Sequence, residues 1–502
     1  MGPADPEVRT TAGRIRGSVE DGIAVFRGIP FAKPPLGALR FRAPQPPEPW
    51  EAVRDATAFG PPAPQARFPG SPAAPPAETD SDEWLTVNVW TPDPAARTLP
   101  VMVWIHGGAY LFGSAADPGY DGGKFAGAGT VFVSCNYRLG MEGFAQIPGA
   151  PANRGLLDLV AALRWVRDNI DRFGGDPANV TVFGESAGAG AISALLAMDS
   201  ARGLFTRAIA QSVPGTVFTP ELSADITRAI AAAAAVPATY EALSAAPPTL
   251  LVDAQMAVTG RMRQFPQWGA VNLTDTPFSP VVDGEVLPRA PWRALLSGAG
   301  SEVELLTGHN RDEYRLFIAM SGRLGTITEE DAATVLNSFA PAPDGPAGYR
   351  KSYPEADAGR LFELVFSDWL FRMPTLHLAQ AHAASGGRTF LYELRAEAPA
   401  GQGMFGACHA LDVPLVFGSA GQGIGALLTG EQPPPDFVAV GDLMRSEWLS
   451  FANSGDPGWP VYGTERRTTR VYDLQPDVAP YPEDASMHLW ERHRFDALDL
   501  AR

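Results

Sequence analysis

The chain has 502 residues, 45% of them hydrophobic and 19% charged, which is ample apolar material for a large buried core. No run approaches 18 uninterrupted apolar residues, which excludes a helical membrane span. A net charge of −17 with scattered acidic residues excludes recognition of nucleic acid and serves solubility. Cys135 and Cys408, the two cysteines, form neither a metal-ligand spacing nor a disulfide framework. Lysine is confined to Lys33, Lys124 and Lys351 while arginine is plentiful, the codon bias of a GC-rich bacterial genome. The opening MGPADPEVRT lacks the basic and apolar regions of a secretory signal, so the cytoplasm is the expected compartment.

The elements follow in chain order. Val8 to Gly17 and Ile23 to Gly28 alternate and turn at glycines, which predicts N-terminal hairpins. Proline-rich loops follow at Ala43 to Pro49 and Pro61 to Pro76. From Leu85 the pattern changes to short, β-branched, largely apolar runs at 87–90, 101–105, 131–135 and 180–183, which suit a sheet covered on both faces. Leu156 to Phe173 is apolar at helical spacing through Leu157, Val160, Leu163, Val166 and Ile170, so strand, crossover helix and strand make a βαβ unit. Leu204 to Ala210 and Val303 to Leu306 add further strands. The alanine-rich stretch from Ala224 to Leu251 and the stretch Glu329 to Phe339 predict helices that leave the sheet order. No repeat or linker divides residues 1–502, so one large α/β domain is expected.

The chemistry centres on Gly184-Glu185-Ser186-Ala187-Gly188, which stands between an apolar strand and a small-residue helix. A serine hydroxyl is a poor nucleophile until it is lifted clear of the backbone and given a base. A strand–turn–helix elbow does the lifting, and the flanking glycines permit the crowding. The base needs an orienting carboxylate, and the developing anion needs donors. Of seven histidines, His377 and His382 fall in a helix and His488 and His493 in a polar tail. His409, by contrast, stands in a small-residue loop, Gly406 to Asp412, able to reach over the top of a sheet. His106 opens His106-Gly107-Gly108-Ala109-Tyr110 directly after a strand, where small residues free backbone N–H groups for an oxyanion hole. For the orienting acid, spacing does not separate Asp312 from Glu313.

These motifs resemble the type-B carboxylesterases, the α/β-hydrolase family that also holds the cholinesterases and bacterial para-nitrobenzyl esterases. The resemblance runs through Phe26 to Ala32, Trp104 to Ala109, Asn136 to Gly140, Asn153 to Gly190, Phe278 to Gly284, Gly308 to Glu313 and the His409 loop. It implies an α/β-hydrolase fold with a large, mostly parallel sheet, an N-terminal hairpin region and helices on both faces. Helical excursions near 220–265 and 325–375 would cap an active-site gorge. It further implies Ser186 as nucleophile, His409 as general base and Glu313 as its orienting acid, in the chain order of that fold. The oxyanion donors would be the N–H groups of Gly108, Ala109 and Ala187, with Gly107 shaping the turn.

By the same matching, Arg40 with Asp82 and Arg138 with Asp158 would be internal ion pairs, and Glu185 a carboxylate beside the site. Tyr110, Leu111, Phe112, Val213, Phe218, Met404 and Phe405 would line an apolar pocket for aromatic or medium-chain esters. Ala109 in the oxyanion loop is compatible with hindered alcohols. The chain departs from the family at Trp84, where many relatives carry a cysteine, so their N-terminal loop disulfide cannot form. It departs again at Tyr314, usually glycine. The implied activity is hydrolysis of a small-molecule ester by a monomer, with no cofactor and no metal. Carbamate or anilide hydrolysis and a non-catalytic binding role are the alternatives.

Overall fold

A computed structural model describes residues 5–66, 82–341 and 344–501. The strands among them are β1 (Glu7–Arg9), β2 (Arg14–Arg16), β3 (Ser18–Glu20), β4 (Ile23–Pro30), β5 (Arg54–Asp55), β6 (Thr86–Thr91) and β7 (Leu99–Ile105). The second half adds β8 (Val131–Cys135), β9 (Gly175–Glu185), β10 (Arg207–Gln211), β11 (Glu304–Asn310), β12 (Thr389–Leu394), β13 (Thr468–Tyr472) and β14 (Asp477–Pro480). Eleven of them form one sheet in the order β14-β13-β12-β11-β10-β9-β7-β8-β6-β4-β3, while β1, β2 and β5 make a small separate sheet. All pairings from β8 through β7 and β9 to β13 are parallel, and the two edges are antiparallel.

The alternation of side chains explains the layers. Val101, Val103 and Ile105 of β7 enter one core, whereas Met102 and Trp104 enter the other. Val131 and Val133 oppose Phe132 in the same way on β8. Apolar residues at every position therefore serve two cores at once, as expected of a parallel sheet buried on both sides. The helix Arg154–Asn169 covers the first face. Its buried stripe runs through Leu156, Leu159, Val160, Leu163 and Val166, so Leu157, taken from spacing as inward, is only partly buried. Helices Asp412–Phe417 and Pro435–Ser454 cover the second face.

The helical excursions begin at side-chain caps. Thr219 caps Pro220–Ala233, Thr328 and Asp331 form a capping box on Glu329–Phe339, and Asp357 caps Ala358–Ser367. Between Ala358–Ser367 and Met373–Ala384 the chain makes a π-helical turn, Asp368–Arg372. It is held by the buried ion pair of Arg372 with Asp368 at 2.6 Å. Of the two proline-rich loops, residues 67–76 lie outside the described residues. No helix among the described residues is long and apolar enough to cross a membrane.

One expected ion pair is corrected. Asp82 is exposed, and Arg40 pairs with Glu142 at 2.6 Å while also donating to the carbonyls of Ser244 and Ala246. A buried guanidinium needs its several donors satisfied together, and only the interior site offers that. Arg138 and Asp158 pair as expected, bidentate at 2.7 Å and fully buried.

Candidate active site

Ser186 stands at φ 55°, ψ −122°, between the last residue of β9 and the helix Ala187–Ala197. That conformation is strained for any residue with a Cβ. It is held because the Ser186 N–H donates to Gln211 O at 2.9 Å and the Gly190 N–H donates to Ser186 O at 2.8 Å. The flanking glycines are required by close approach. A Cβ on Gly184 would lie 2.6 Å from the Ile105 carbonyl, and one on Gly188 would collide with the same oxygen. The elbow is thus pressed against the end of β7, and Ser186 alone of its pentapeptide stays partly exposed.

The end of β7 runs straight into the glycine loop. Gly108 takes φ +109°, and Ala109 and Tyr110 follow in the left-handed region. The N–H groups of Leu111 and Phe112 close back on Gly108 O. A Cβ on Gly107 would lie 3.3 Å from Ser186 Cβ and 3.0 Å from Glu185 Oε2, so the loop lies against the serine. His106 is not a base here: it is buried, stacks on Tyr137 at 4.5 Å and bonds Gly107 O, and burial pushes its pKa down to about 4.

β11 and the loop after β12 supply the remaining polar groups. Glu313 is fully buried; its Oε1 accepts from Ser212 Oγ at 2.6 Å and from the Asn310 N–H at 2.8 Å. Its Oε2 lies 2.6 Å from His409 Nδ1. The other ring nitrogen, Nε2, lies 3.0 Å from Glu185 Oε1. Burial opposes charge on His409, yet the carboxylates of Glu185 and Glu313 outweigh it and raise the imidazole to about 9. Burial likewise pushes Glu185 up to about 8, against the pull of His409. Asp412 stands behind, buried, bonded by Gln211 and Tyr392 at 2.8 Å.

Two aromatic rings that spacing did not single out complete the surroundings of His409. Phe371, on the π-helical turn, stacks on the imidazole at 4.2 Å and 28°, and Phe317 lies at 5.2 Å. The helix assignments near 325–375 were the only signal for Phe371, and they did not give its phase.

The proposed pocket residues divide. Tyr110 is buried against Phe144, and its hydroxyl stands over Gly190. Leu111, Val213 and Phe218 are buried in the first core, and Phe112 packs against that core while partly exposed. Phe405 packs against the opposite core, and Met404 is 47% exposed. The structure therefore gathers Ser186, Glu185, Glu313, His409 and the Gly107 loop at one place, and does not bring Met404 and Phe405 into the same core as Val213 and Phe218. No group of three or more His, Cys, Asp or Glu among the described residues is placed to hold a metal ion.

The arrangement sets an imidazole, oriented by a buried carboxylate, in one cluster with a serine elbow and a backbone glycine loop. Comparison with known proteins gives the family. The model of the carboxylesterase family matches residues 4–490. The para-nitrobenzyl esterase of Bacillus subtilis is 36% identical over 488 residues, covering 95% of this chain and 96% of its own. The phenmedipham hydrolase of Pseudarthrobacter oxydans is 34% identical, covering 91% and 93%. Among solved structures, the Geobacillus stearothermophilus carboxylesterase EST55 superposes with a TM-score of 0.84 at 35% identity, covering 96% of this chain and 99% of its own.

Proposed function

We propose, from the premise that this chain belongs to the carboxylesterase family, that it hydrolyses aromatic or short- to medium-chain esters through Ser186, His409 and Glu313. Its fold is the α/β-hydrolase fold, and it is an ester-hydrolysing serine hydrolase. The single observation that carries the residue roles is the buried Glu313–His409 contact of 2.6 Å beside a serine held in an elbow.

In this reading His409 Nε2 takes the proton of Ser186 Oγ as that oxygen bonds to the ester carbonyl carbon. The carbonyl oxygen becomes an anion facing the N–H groups of Gly108, Ala109 and Ala187, and such preorganised donors typically contribute about 3–4 kcal/mol each. Collapse breaks the ester C–O bond, and the alkoxide leaves with the proton from His409. Water then attacks the acyl-enzyme by the same steps and releases the carboxylic acid. In the neutral imidazole Glu313 accepts from Nδ1–H, which leaves Nε2 free to accept. The chain acts as one unit, and the helical segments near 220–265 and 325–375 wall the gorge; the contact of Phe371 with His409 supports the placement of the second segment.

A second reading, carbamate or anilide hydrolysis at the same site, is favoured by the relative named a phenmedipham hydrolase. A panel of p-nitrophenyl butyrate, a phenyl carbamate and an anilide, run with wild type and Ser186→Ala, decides between them. Ester turnover is expected to dominate and to fall by on the order of 10⁴-fold or more in the variant. Full turnover by Ser186→Ala would overturn the assignment of the nucleophile, and a carbamate preference would favour the second reading.

A further inference from the structure

Asp312 and Glu313 are adjacent acids with opposite surroundings. Glu313 meets the imidazole; Asp312 faces the other way and is 1% exposed. Its Oδ2 accepts from Arg311 Nη2 at 2.7 Å and Nε at 2.9 Å, and its Oδ1 accepts from Arg360 Nη1 at 3.0 Å. Arg315 also stands by, paired with Glu363, and Arg311 continues to Glu397. Burial would raise this carboxyl, but the hydrogen bonds and charge of Arg311, with Arg360 and Arg315, hold it down at about 2. It is a permanent anion, not a spare acid.

The fourth donor to Asp312 ties it to the base. The Ala407 N–H donates to Asp312 Oδ2 at 3.1 Å, and the Asp312 N–H donates back to Ala407 O at 2.9 Å. Two residues on, the His409 N–H donates to Glu313 O at 3.2 Å, and Asn310 Nδ2 donates to Cys408 O at 2.7 Å. The His409 loop is thus laced along the turn that carries Glu313. Gly406 makes the lacing possible: it takes φ +57°, and a Cβ there would lie 2.6 Å from Asp312 Oδ2. Arg360, the partner of Oδ1, sits on the helix Ala358–Ser367 that leads through the π-helical turn to Phe371, the ring stacked on the imidazole.

We propose that Asp312 is a positioning residue for His409: its carboxylate fastens the loop carrying the base to the turn carrying the acid, and ties both to the helix that sets Phe371 on the imidazole. The proposal rests on the role of His409 given above. A buried carboxylate with four donors, beside two backbone bonds across the joint, is costly to assemble for stability alone, and a misplacement near 1 Å at a reacting group costs about 10²-fold in rate.

The test compares Asp312→Ala, Asp312→Asn and Gly406→Ala with wild type in ester hydrolysis, alongside thermal unfolding and the downfield proton resonance of the Nδ1–H of His409. Asp312→Ala is expected to lose about 10²-fold in kcat with KM changed by less than about three-fold, and to lose the downfield resonance. Asp312→Asn keeps an oxygen for the Ala407 N–H and is expected to recover roughly ten-fold of that loss. Gly406→Ala pushes the loop off Asp312 with every charge in place, and serves if Asp312→Ala fails to fold; its kcat is expected to fall as well. Folded variants with wild-type kcat and an intact resonance overturn the proposal. Ester turnover that survives Ser186→Ala would instead sink the assignment on which it rests.

Discussion

Glu185 Oε1 lies 3.0 Å from His409 Nε2, directly across the ring from the nitrogen that Glu313 holds at 2.6 Å. Two carboxylates flanking an imidazole favour the form with a proton on each nitrogen. In that form Nε2 has no lone pair with which to act as a base toward Ser186. The two groups titrate as a pair, with Glu185 raised to about 8 and His409 to about 9. The proton leaves only as pH rises through that range, so kcat/KM for a neutral ester is expected to climb between pH 7 and pH 9. Glu185→Gln removes the largest contribution that raises His409, and the climb is expected to move to lower pH. A variant profile that overlays the wild type would show that the pair does not govern the base.

Ser212 donates to the buried Glu313 Oε1 at 2.6 Å from a backbone at φ 57°. A hydrogen bond to a charged acceptor contributes about 1.5–3 kcal/mol. Ser212→Ala leaves Glu313 Oε1 with the Asn310 N–H alone, and kcat is expected to fall about 10- to 100-fold with KM little changed. Steady-state kinetics on one p-nitrophenyl ester checks this, and a rise in KM alone would assign Ser212 to substrate binding.

Arg138 and Asp158 form a pair with no exposure on either side chain, and Arg138 donates further to Arg42 O at 2.8 Å. Asp158→Ala leaves a guanidinium buried without its counter-charge, a loss of about 3–5 kcal/mol. Urea unfolding followed by tryptophan fluorescence is expected to show that fall. A change under 1 kcal/mol would mean that water reaches Arg138.

Glu393 on β12 is buried, and burial with the neighbouring Glu483 carboxyl raises its pKa well above the usual value, against the pull of Arg372 and Arg395. An unfolded glutamate releases its proton near 4.5, so above that pH the folded state binds the extra proton. The stability this supplies is complete below 4.5 and is lost as pH rises through the folded-state value. Glu483, lowered by Arg372 and His309 despite burial, contributes in the opposite sense only below its unfolded value. Thermal midpoints are expected to decline toward alkaline pH, and Glu393→Gln, which cannot ionise, is expected to flatten that decline. An unchanged slope would place the alkaline loss elsewhere.

The sequence displayed what is local. The β-branched runs gave the central strands because each strand is buried on both faces, and the elbow showed because a glycine must stand at both close approaches to β7. Contacts between distant segments were harder to read. Arg40 was matched to Asp82 by motif, yet a buried guanidinium goes where several acceptors converge, and those come from Glu142, Ser244 and Ala246. Phe371 was invisible because its direction depends on a π-helical turn, which hydrophobic spacing at 3.6 residues does not register. Asp312 and Glu313 were equivalent as letters and are distinguished by what surrounds each carboxylate.

The π-helical turn at Asp368–Arg372 works as an index mark. Each residue of a helix rotates its face by about 100°, so one residue gained or lost upstream of Phe371 would swing that ring off the imidazole and bring a neighbour into its place. A residue gained brings Leu370 there and a residue lost brings Arg372, both already buried. Length variation at a single turn, with no substitution near Ser186, is therefore a route by which this scaffold exchanges one wall of its reaction chamber for another.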